Sequence, residues 1–248
     1  MASTFSPRTY APDERYSTPN ISSLLKRSIL SEFSEQEAKA RIELAACYRL
    51  FEMKGWNGNI YNHLTAKITA SSLIRVGADD KIKHTGVTGD LFGINDAGFV
   101  IHSAIHRARP DLQSVMHCHY PSAAGVGPIA YHDYHGIVVD RGEQKSLVGD
   151  LGDKNVLFLR NHRVVTAEES IGAAWYLMYQ LLAATDLQSH ASACALGNEA
   201  NLNVPPESTI RKTFDIMRRQ HFSGAPYGIK ELSAYMRLLD SLDDSYRN

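Results

Sequence analysis

The chain has 248 residues, of which 44% are hydrophobic and 21% charged, and its formal net charge is −1. This length suits one large α/β domain with appendages, and the composition is that of a soluble folded protein. Because there is no basic excess, we expect neither a nucleic acid nor an anionic membrane as partner. No apolar run is long enough for a membrane span, and no apolar core marks a secretory signal, which favours the cytoplasm.

The N-terminal third begins with a polar arm and continues into a helix. Residues 1–33 are rich in Ser, Thr, Pro and charge, which is typical of a flexible arm. The first predicted helix begins after Ser34, with Glu37 completing a capping box, and ends at Gly55. A Gly/Asn-rich turn then leads into an alternating segment that ends at Ile68 and predicts a strand.

Two polar residues, Asn62 and His63, stand at the start of that strand. Polar side chains and backbone amides at such a position can face a ligand, so we predict that they bind substrate. Asn-Gly turns also occur as plain connections, which is the alternative interpretation. Another short strand is expected over 72–76, followed by a polar loop through Gly89.

A helix is predicted from about Asp96 to Arg109, where Pro110 ends it. Its two histidines, His102 and His106, are one turn apart, which is close to the spacing used by metal-binding helices. No acidic partner of the His-Glu-x-x-His kind accompanies them. The pair is therefore expected to have a structural or supporting role.

The next predicted strand carries two histidines two positions apart, His117 and His119. Alternate strand side chains share a face, so both imidazoles leave one face and Cys118 the other, where burial is expected. Such a pair can bind one metal ion, although it also occurs as ordinary polar decoration of a strand. A third histidine, His162, follows the apolar run 156–160. Three histidines at strand ends can complete a metal site with one open position, the arrangement of a catalytic metal.

The C-terminal part of the chain is predicted to be helical. Thr166 with Glu169 predicts a second capping box, opening a long helix that reaches about Leu196 and backs the sheet. Another helix is expected to end near Gln220, and a final amphipathic helix covers 230–242. The predicted divisions are an arm, a main domain, and a helical extension that packs on this domain or a neighbouring subunit: 1–33, 34–204 and 205–248.

Taken in order, four motifs resemble those of the class II aldolase/adducin family. They are an Ile-His-Ser-Ala-Ile-His run, a His-x-His pair, a Tyr-His-Asp-Tyr-His-Gly run and an Arg-Asn-His run, which start at Ile101, His117, Tyr131 and Arg160. The resemblance covers roughly residues 35–200, and the tyrosine-rich run is closest to the adducin-type branch. It implies an α/β fold, a three-layer α/β/α arrangement with a largely antiparallel central sheet. It also implies a homotetramer with sites at subunit interfaces.

The resemblance implies metal ligands as well. The family's catalytic members bind zinc through the His-x-His pair and a third histidine, which are His117, His119 and His162 here. The family pattern Asn-His-Gly is Asn-His-Arg in this chain, so Arg163 places a cation beside the metal position. We count Arg163 among the candidate substrate-binding residues.

The family's acid/base position falls near Gly98, which cannot transfer a proton. His132 and Tyr134 are the first candidates to replace it, because a family tyrosine near this point donates a proton from an adjacent subunit. His102 is the third candidate. The Gly-Asn-x-Ser phosphate turn of sugar aldolases is replaced by residues 62–65, which argues against a sugar-phosphate substrate.

Compared with the family, the chain is short in two places, between Ile68 and Thr69 and between Val126 and Pro128. Relatives carry loops beside the active site at both. Either the loops are deleted, which would open the site to solvent, or the 248 residues omit mobile loops of the protein, which we favour. An intact mass equal to 27.5 kDa would contradict that preference.

Three functions are compatible with these residues. The first is a metal-dependent enzyme that acts on a carbonyl or 2-oxo acid by C–C bond cleavage or decarboxylation, with Zn²⁺ expected and Fe²⁺ as the alternative ion. The second loads iron and resembles the oxygenases of aminocoumarin antibiotic biosynthesis, which oxidatively decarboxylate an aryl 2-oxo acid. The third is a non-catalytic adducin-like interaction module, which fits the missing acid/base but not the three retained histidines.

Overall fold

A computed structural model describes most of the chain. The described residues are 32–56, 69–77, 79–86, 96–118, 129–133, 143–160, 163–219 and 226–248. The N-terminal arm up to residue 31 and the predicted strand ending at Ile68 lie outside these ranges. Within them, the helices are too short or too polar to span a bilayer.

Six α-helices are present in the described residues, and they are numbered in chain order. Their bounds are α1 Glu35–Met53, α2 Asp96–Ala108, α3 Glu143–Leu151, α4 Ile171–Cys194, α5 Glu207–Arg219 and α6 Ile229–Leu242. The strands of the same ranges are β1 Arg75–Val76, β2 Ile82–His84, β3 Ser114–Cys118, β4 Ile129–His132, β5 Val156–Leu159 and β6 Arg163–Glu168.

The main sheet has four strands in the order β3-β6-β5-β4. β6 is antiparallel to both of its neighbours, whereas β4 runs parallel to β5. The sheet is therefore mixed and largely antiparallel, as predicted. β1 and β2 form a separate two-stranded antiparallel ribbon.

Helices cover both faces of the main sheet. One face carries Cys118 and Val164, which belong to a buried cluster with side chains of α1, α4 and α6. The other face carries Val115 and Val165, which belong to a second cluster with α2 and α3. Because neighbouring strand residues point to opposite faces, burial on both sides requires apolar residues at successive positions of β5 and β6. The three-layer α/β/α prediction is confirmed.

The structure confirms the predicted ends of α1 at Ser34 and Gly55, but the Glu37 carboxylate accepts from Arg41 and Arg75 instead of completing a capping box. Ser34 caps the helix by accepting a hydrogen bond from the Glu37 amide. Gly55 has a positive φ of 69°, and the amide of Trp56 reaches back to the Phe51 carbonyl at 2.9 Å. This left-handed closure is the one that glycine makes without steric cost.

The predicted capping box at Thr166 and Glu169 is wrong. Thr166 lies inside β6, and its hydroxyl donates to the Ala174 carbonyl at 3.1 Å. Ser170 caps α4 instead, accepting from the Ala173 amide at 3.1 Å. The Thr-x-x-Glu spacing gave a wrong prediction because the buried strand β6 ends at Glu168, and only two residues separate it from the start of α4.

Four other elements differ from prediction. The strand expected over 72–76 is present only as the short β1, Arg75–Val76, and a 3₁₀ turn, Ala70–Ser72, precedes it. The expected polar loop contains β2. Neither α3 nor β4 was predicted. β4 was not predicted because its last residues are polar and because it is paired with β5, which comes later in the chain.

The C-terminal helix α6 packs on α1 and α4 and completes the first core cluster. It approaches α4 closely where Gly228 lies against Gly172, and glycine is needed at residue 228. A Cβ atom added at Gly228, where φ is 76°, would overlap the Gly172 carbonyl oxygen. α6 is thus part of the domain core, although the division at residue 205 itself stays a prediction.

Replacing Gly228 with alanine is expected to lower the free energy of unfolding by at least about 2 kcal/mol, because left-handed backbone is costly for alanine and the Cβ overlaps Gly172. Gly149 is the matched control, since it lies in α3 with nothing within 4 Å of an added Cβ. Gly149→Ala should be stabilising by about 0.5–1 kcal/mol. Urea denaturation of both variants tests this, and equal midpoints would contradict the close approach.

Candidate functional site

Four strands of the main sheet bring polar residues to one end, which we call the site end. β3 finishes there, with Cys118 paired to Val164 near the start of β6. β5 finishes there as well, because Leu159 pairs with Arg163, and β4 follows because His132 pairs with Leu159. The site end is therefore defined by His117, Arg163, Leu159 and His132.

Strand alternation places three of these polar side chains on the same face. His117, Arg163 and His132 each lie two positions from a residue in the cluster formed with α2 and α3. Cys118 lies on the opposite face, as predicted. His117 is partly buried as a residue, and its Nδ1 atom is shielded from solvent.

The two helices that cover the His117 face of the sheet, α2 and α3, begin near the site end. α2 leads through residues 109–113 into β3, and α3 leads through residues 152–155 into β5, each as an adjacent helix–strand pair. Such pairs run in opposite directions, which puts the helix N-termini, with their partial positive charge, towards the site end. His102 is one turn closer to that N-terminus than His106, whose Nδ1 lies 3.0 Å from the Leu112 carbonyl at the other end.

His132 is buried between two carboxylates. His132 is 1% exposed. Its Nδ1 atom lies 2.7 Å from Asp150 Oδ2, and its Nε2 atom lies 3.2 Å from Glu143 Oε1. Both carboxylates come from α3, seven residues apart. Because α3 was not predicted, neither carboxylate could be assigned to the site from the sequence. Glu143 and Asp150 lie on one face only when the segment between them is helical.

The end of β4 is also connected to the residue that follows β5. The Arg160 amide donates to the His132 carbonyl at 2.9 Å, and Arg160 Nε lies 3.1 Å from Asp133 Oδ1. The Arg160 guanidinium stands 4.8 Å from the centre of the Tyr131 ring. Three consecutive residues of the tyrosine-rich run are thus held against the chain that leads to His162.

Cys118 is a packing residue. Its Sγ lies 3.3 Å from the Trp56 carbonyl oxygen inside the first core cluster. Burial disfavours the thiolate and raises the pKa of Cys118 to about 12, against a smaller opposing effect of the Arg163 charge. A thiol in this state is a poor nucleophile.

The predicted metal ligands are described only in part. His117 is placed as above, whereas His119 and His162 lie outside the described residues, as do Asn62, His63 and Tyr134. The ranges that are described contain no group of three His, Cys, Asp or Glu side chains suited to a metal ion. Cys118 directly precedes His119 and Arg163 directly follows His162, and both of these neighbours lie at the site end.

A family model described as the Class II Aldolase and Adducin N-terminal domain matches residues 42–189. Among solved structures, an aldolase II superfamily protein from Pseudomonas syringae is similar at 34% identity with a TM-score of 0.75. The match covers 90% of this chain and 100% of that one. The similarity therefore extends over almost the whole chain.

Several curated relatives carry adducin names. An adducin-related protein of Schizosaccharomyces pombe is 57% identical over 279 aligned residues, which cover 97% of this chain and 86% of the relative. Alpha-adducin of Rattus norvegicus is 34% identical over 85% of this chain but only 34% of its own length. The chain thus spans about a third of alpha-adducin.

Of the three cysteines, only Cys194 is expected to react quickly with a disulfide reagent in the folded protein. Cys194 is exposed, whereas Cys47 and Cys118 are buried. At pH 8 the buried Cys118 is expected to stay almost entirely in the unreactive thiol form, because burial raises its pKa. Thiol titration should show one fast group, and none in a Cys194→Ser variant. A fast thiol in that variant would contradict the buried placement.

Proposed function

The chain belongs to the class II aldolase and adducin family, and on that premise we propose that it is a metal-dependent lyase acting on a carbonyl or 2-oxo acid. The β3–β6 register is the observation that carries the proposal. It brings His117 and the neighbours of His119 and His162 to one sheet end, beneath the N-termini of two helices. We further propose a homotetramer with sites at subunit borders.

The donor chemistry at the site end fits a divalent transition metal. His117, His119 and His162 would hold the ion through imidazole nitrogens, which suit both zinc and iron, and Zn²⁺ is the ion we propose. When bound, the ion would stabilise negative charge that develops on the substrate's carbonyl oxygen. The partial burial of His117 suits a ligand that must be reached by substrate yet shielded from bulk water.

Arg163 supports an anionic substrate. It lies on the His117 face of the sheet at the site end, where the family pattern has glycine. A guanidinium presents paired donors that match a carboxylate, and it keeps its charge at any physiological pH. We therefore propose that Arg163 binds the carboxylate of a 2-oxo acid, with Asn62 and His63 as further substrate-binding residues.

Proton transfer is proposed for Tyr134 or His102. The ring of His132 is buried and both of its nitrogens face carboxylates, so it is better suited to holding structure than to reaching substrate. Tyr134 directly follows Asp133, the last described residue of the tyrosine-rich run. His102 lies on α2 one turn from Gly98, the position where the family carries its acid/base residue.

A non-catalytic interaction module is the second candidate function. It is favoured by the 57% identity to an adducin-related protein and by the similarity to alpha-adducin. A chain of this kind could keep the fold and lose the chemistry. The two candidates differ in one measurable property, since only the enzyme needs a metal at the three histidines.

We expect the purified protein to bind about one zinc ion per chain, and the combined His117→Ala, His119→Ala and His162→Ala variant to bind none. Metal analysis of both proteins measures this. Turnover of a 2-oxo acid should be lost with the metal, because the carbonyl charge is no longer stabilised. His106→Ala is the matched control, since His106 bonds to Leu112 away from the site end.

The outcome distinguishes the two functions. Metal-free wild-type protein without activity would favour the interaction module, and full turnover in the triple variant would contradict the metal site. Circular dichroism of the triple variant should match the wild type, which separates loss of ligands from loss of fold.

Oxygen uptake distinguishes lyase from iron oxygenase chemistry. Under the proposed function, the zinc-loaded protein should consume no oxygen while it converts an aryl 2-oxo acid. An oxygen electrode with iron-loaded and zinc-loaded protein makes the comparison. Uptake that requires iron and stops with a chelator would replace the lyase proposal with the oxygenase alternative.

A further inference from the structure

We propose that Glu143 and Asp150 of α3 are positioning residues for the metal site. By holding the ring of His132 they would fix the backbone of Arg160, and with it the segment that ends at His162. We call Glu143, Asp150, His132 and Arg160 the clamp. The inference rests on the proposed function, because His162 is a metal ligand only within it.

The clamp begins at the buried imidazole. The His132 side chain is 2% exposed, and the Glu143 side chain is 12% exposed, so this contact is shielded from water. Asp150 is 45% exposed and its contact is more strongly screened, although the distance is shorter. Glu143 is therefore expected to contribute more than Asp150 to holding the ring.

The helix that supplies the two carboxylates is itself fixed. Leu147 and Leu151 of α3 are buried in the second core cluster, together with Leu157 and Leu159 of β5. Residues seven apart on a helix are separated by about 10 Å along its axis and lie on one face. The ring of His132 thus lies against two turns of a helix that is anchored to the same sheet.

The backbone transmits the position of the ring. The His132 carbonyl accepts from the Arg160 amide at 2.9 Å, one residue beyond the last ladder pair of β4 and β5. Arg160 stands two residues before His162. The side-chain contacts of Arg160 with Asp133 and Tyr131 are exposed, so the buried ring is the stronger part of the connection.

The clamp runs along α3 from Glu143 at its start to Asp150 in its last turn, and the residues that directly follow α3 are held by a separate contact. There Arg109 donates to the Gly152 carbonyl at 2.9 Å and to the Lys154 carbonyl at 3.3 Å. Loss of either set of contacts should reduce the stability of the protein. Only loss of the contacts to His132 should alter the metal site, and this difference separates a positioning role from a merely structural one.

The test uses Co²⁺ as the probe, because its absorption spectrum reports ligand geometry. Glu143→Ala should weaken Co²⁺ binding about tenfold and change the spectrum, as removal of groups that support metal ligands typically does. Glu143→Gln keeps an acceptor oxygen and should restore most of the affinity. Arg109→Ala is the matched control, with lower thermal stability but unchanged affinity and spectrum.

A second measurement needs no metal. In the metal-free protein, hydrogen exchange of the Arg160 amide should be about tenfold faster in Glu143→Ala than in the wild type, because its acceptor is less well fixed. If Glu143→Ala does not fold, Asp150→Asn replaces it in both measurements, with a smaller change in the same direction.

The outcomes separate the two proposals. Wild-type protein that binds no Co²⁺ overturns the proposed function and the metal-positioning role with it. Normal wild-type binding with equal affinity and spectrum in Glu143→Ala overturns the positioning role alone. Unchanged exchange at Arg160 overturns the clamp whatever the metal does.

Discussion

The antiparallel pairing of β6 with β3 and β5 is the constraint on which the rest of the structure depends. β6 enters the sheet where β3 and β5 leave it, so the chain segments around His117 and Arg163 must meet at one end. The pairing is enforced by burial on both faces, since Val164 and Val165 belong to different core clusters. A slip of one residue would exchange their faces and carry His117 or Arg163 away from the site.

The two ends of the main sheet carry different kinds of contact. At the far end Arg109 joins α2 to the end of α3, and the Asn155 side chain donates to the Ala167 carbonyl at 2.8 Å beside β6. These contacts secure the layers without reactive groups. At the site end the same layers present His117, Arg163 and the helix N-termini, where charge can be used for binding. The fold thus separates what stabilises the sheet from what could act on a substrate.

The sequence predicted long-range features only where a local signal or a family motif marked them. The Ser34 cap and the long α4 were predictable because capping and helical periodicity are local, and the layered fold followed from the resemblance. β6 was missed because its burial on both faces removes alternation, leaving Thr166 to imitate a helix cap. The carboxylates Glu143 and Asp150 could not be connected to His132, since their contact depends on α3 lying against β4.

The central claim is that one metal ion lies at the site end of the sheet. Anomalous X-ray scattering above and below the zinc and iron edges, on crystals of the protein, tests it most directly. The account predicts one zinc peak per chain, about 2.0–2.1 Å from a ring nitrogen of each of His117, His119 and His162. An empty map at the site end, or a metal held by other residues, would contradict it.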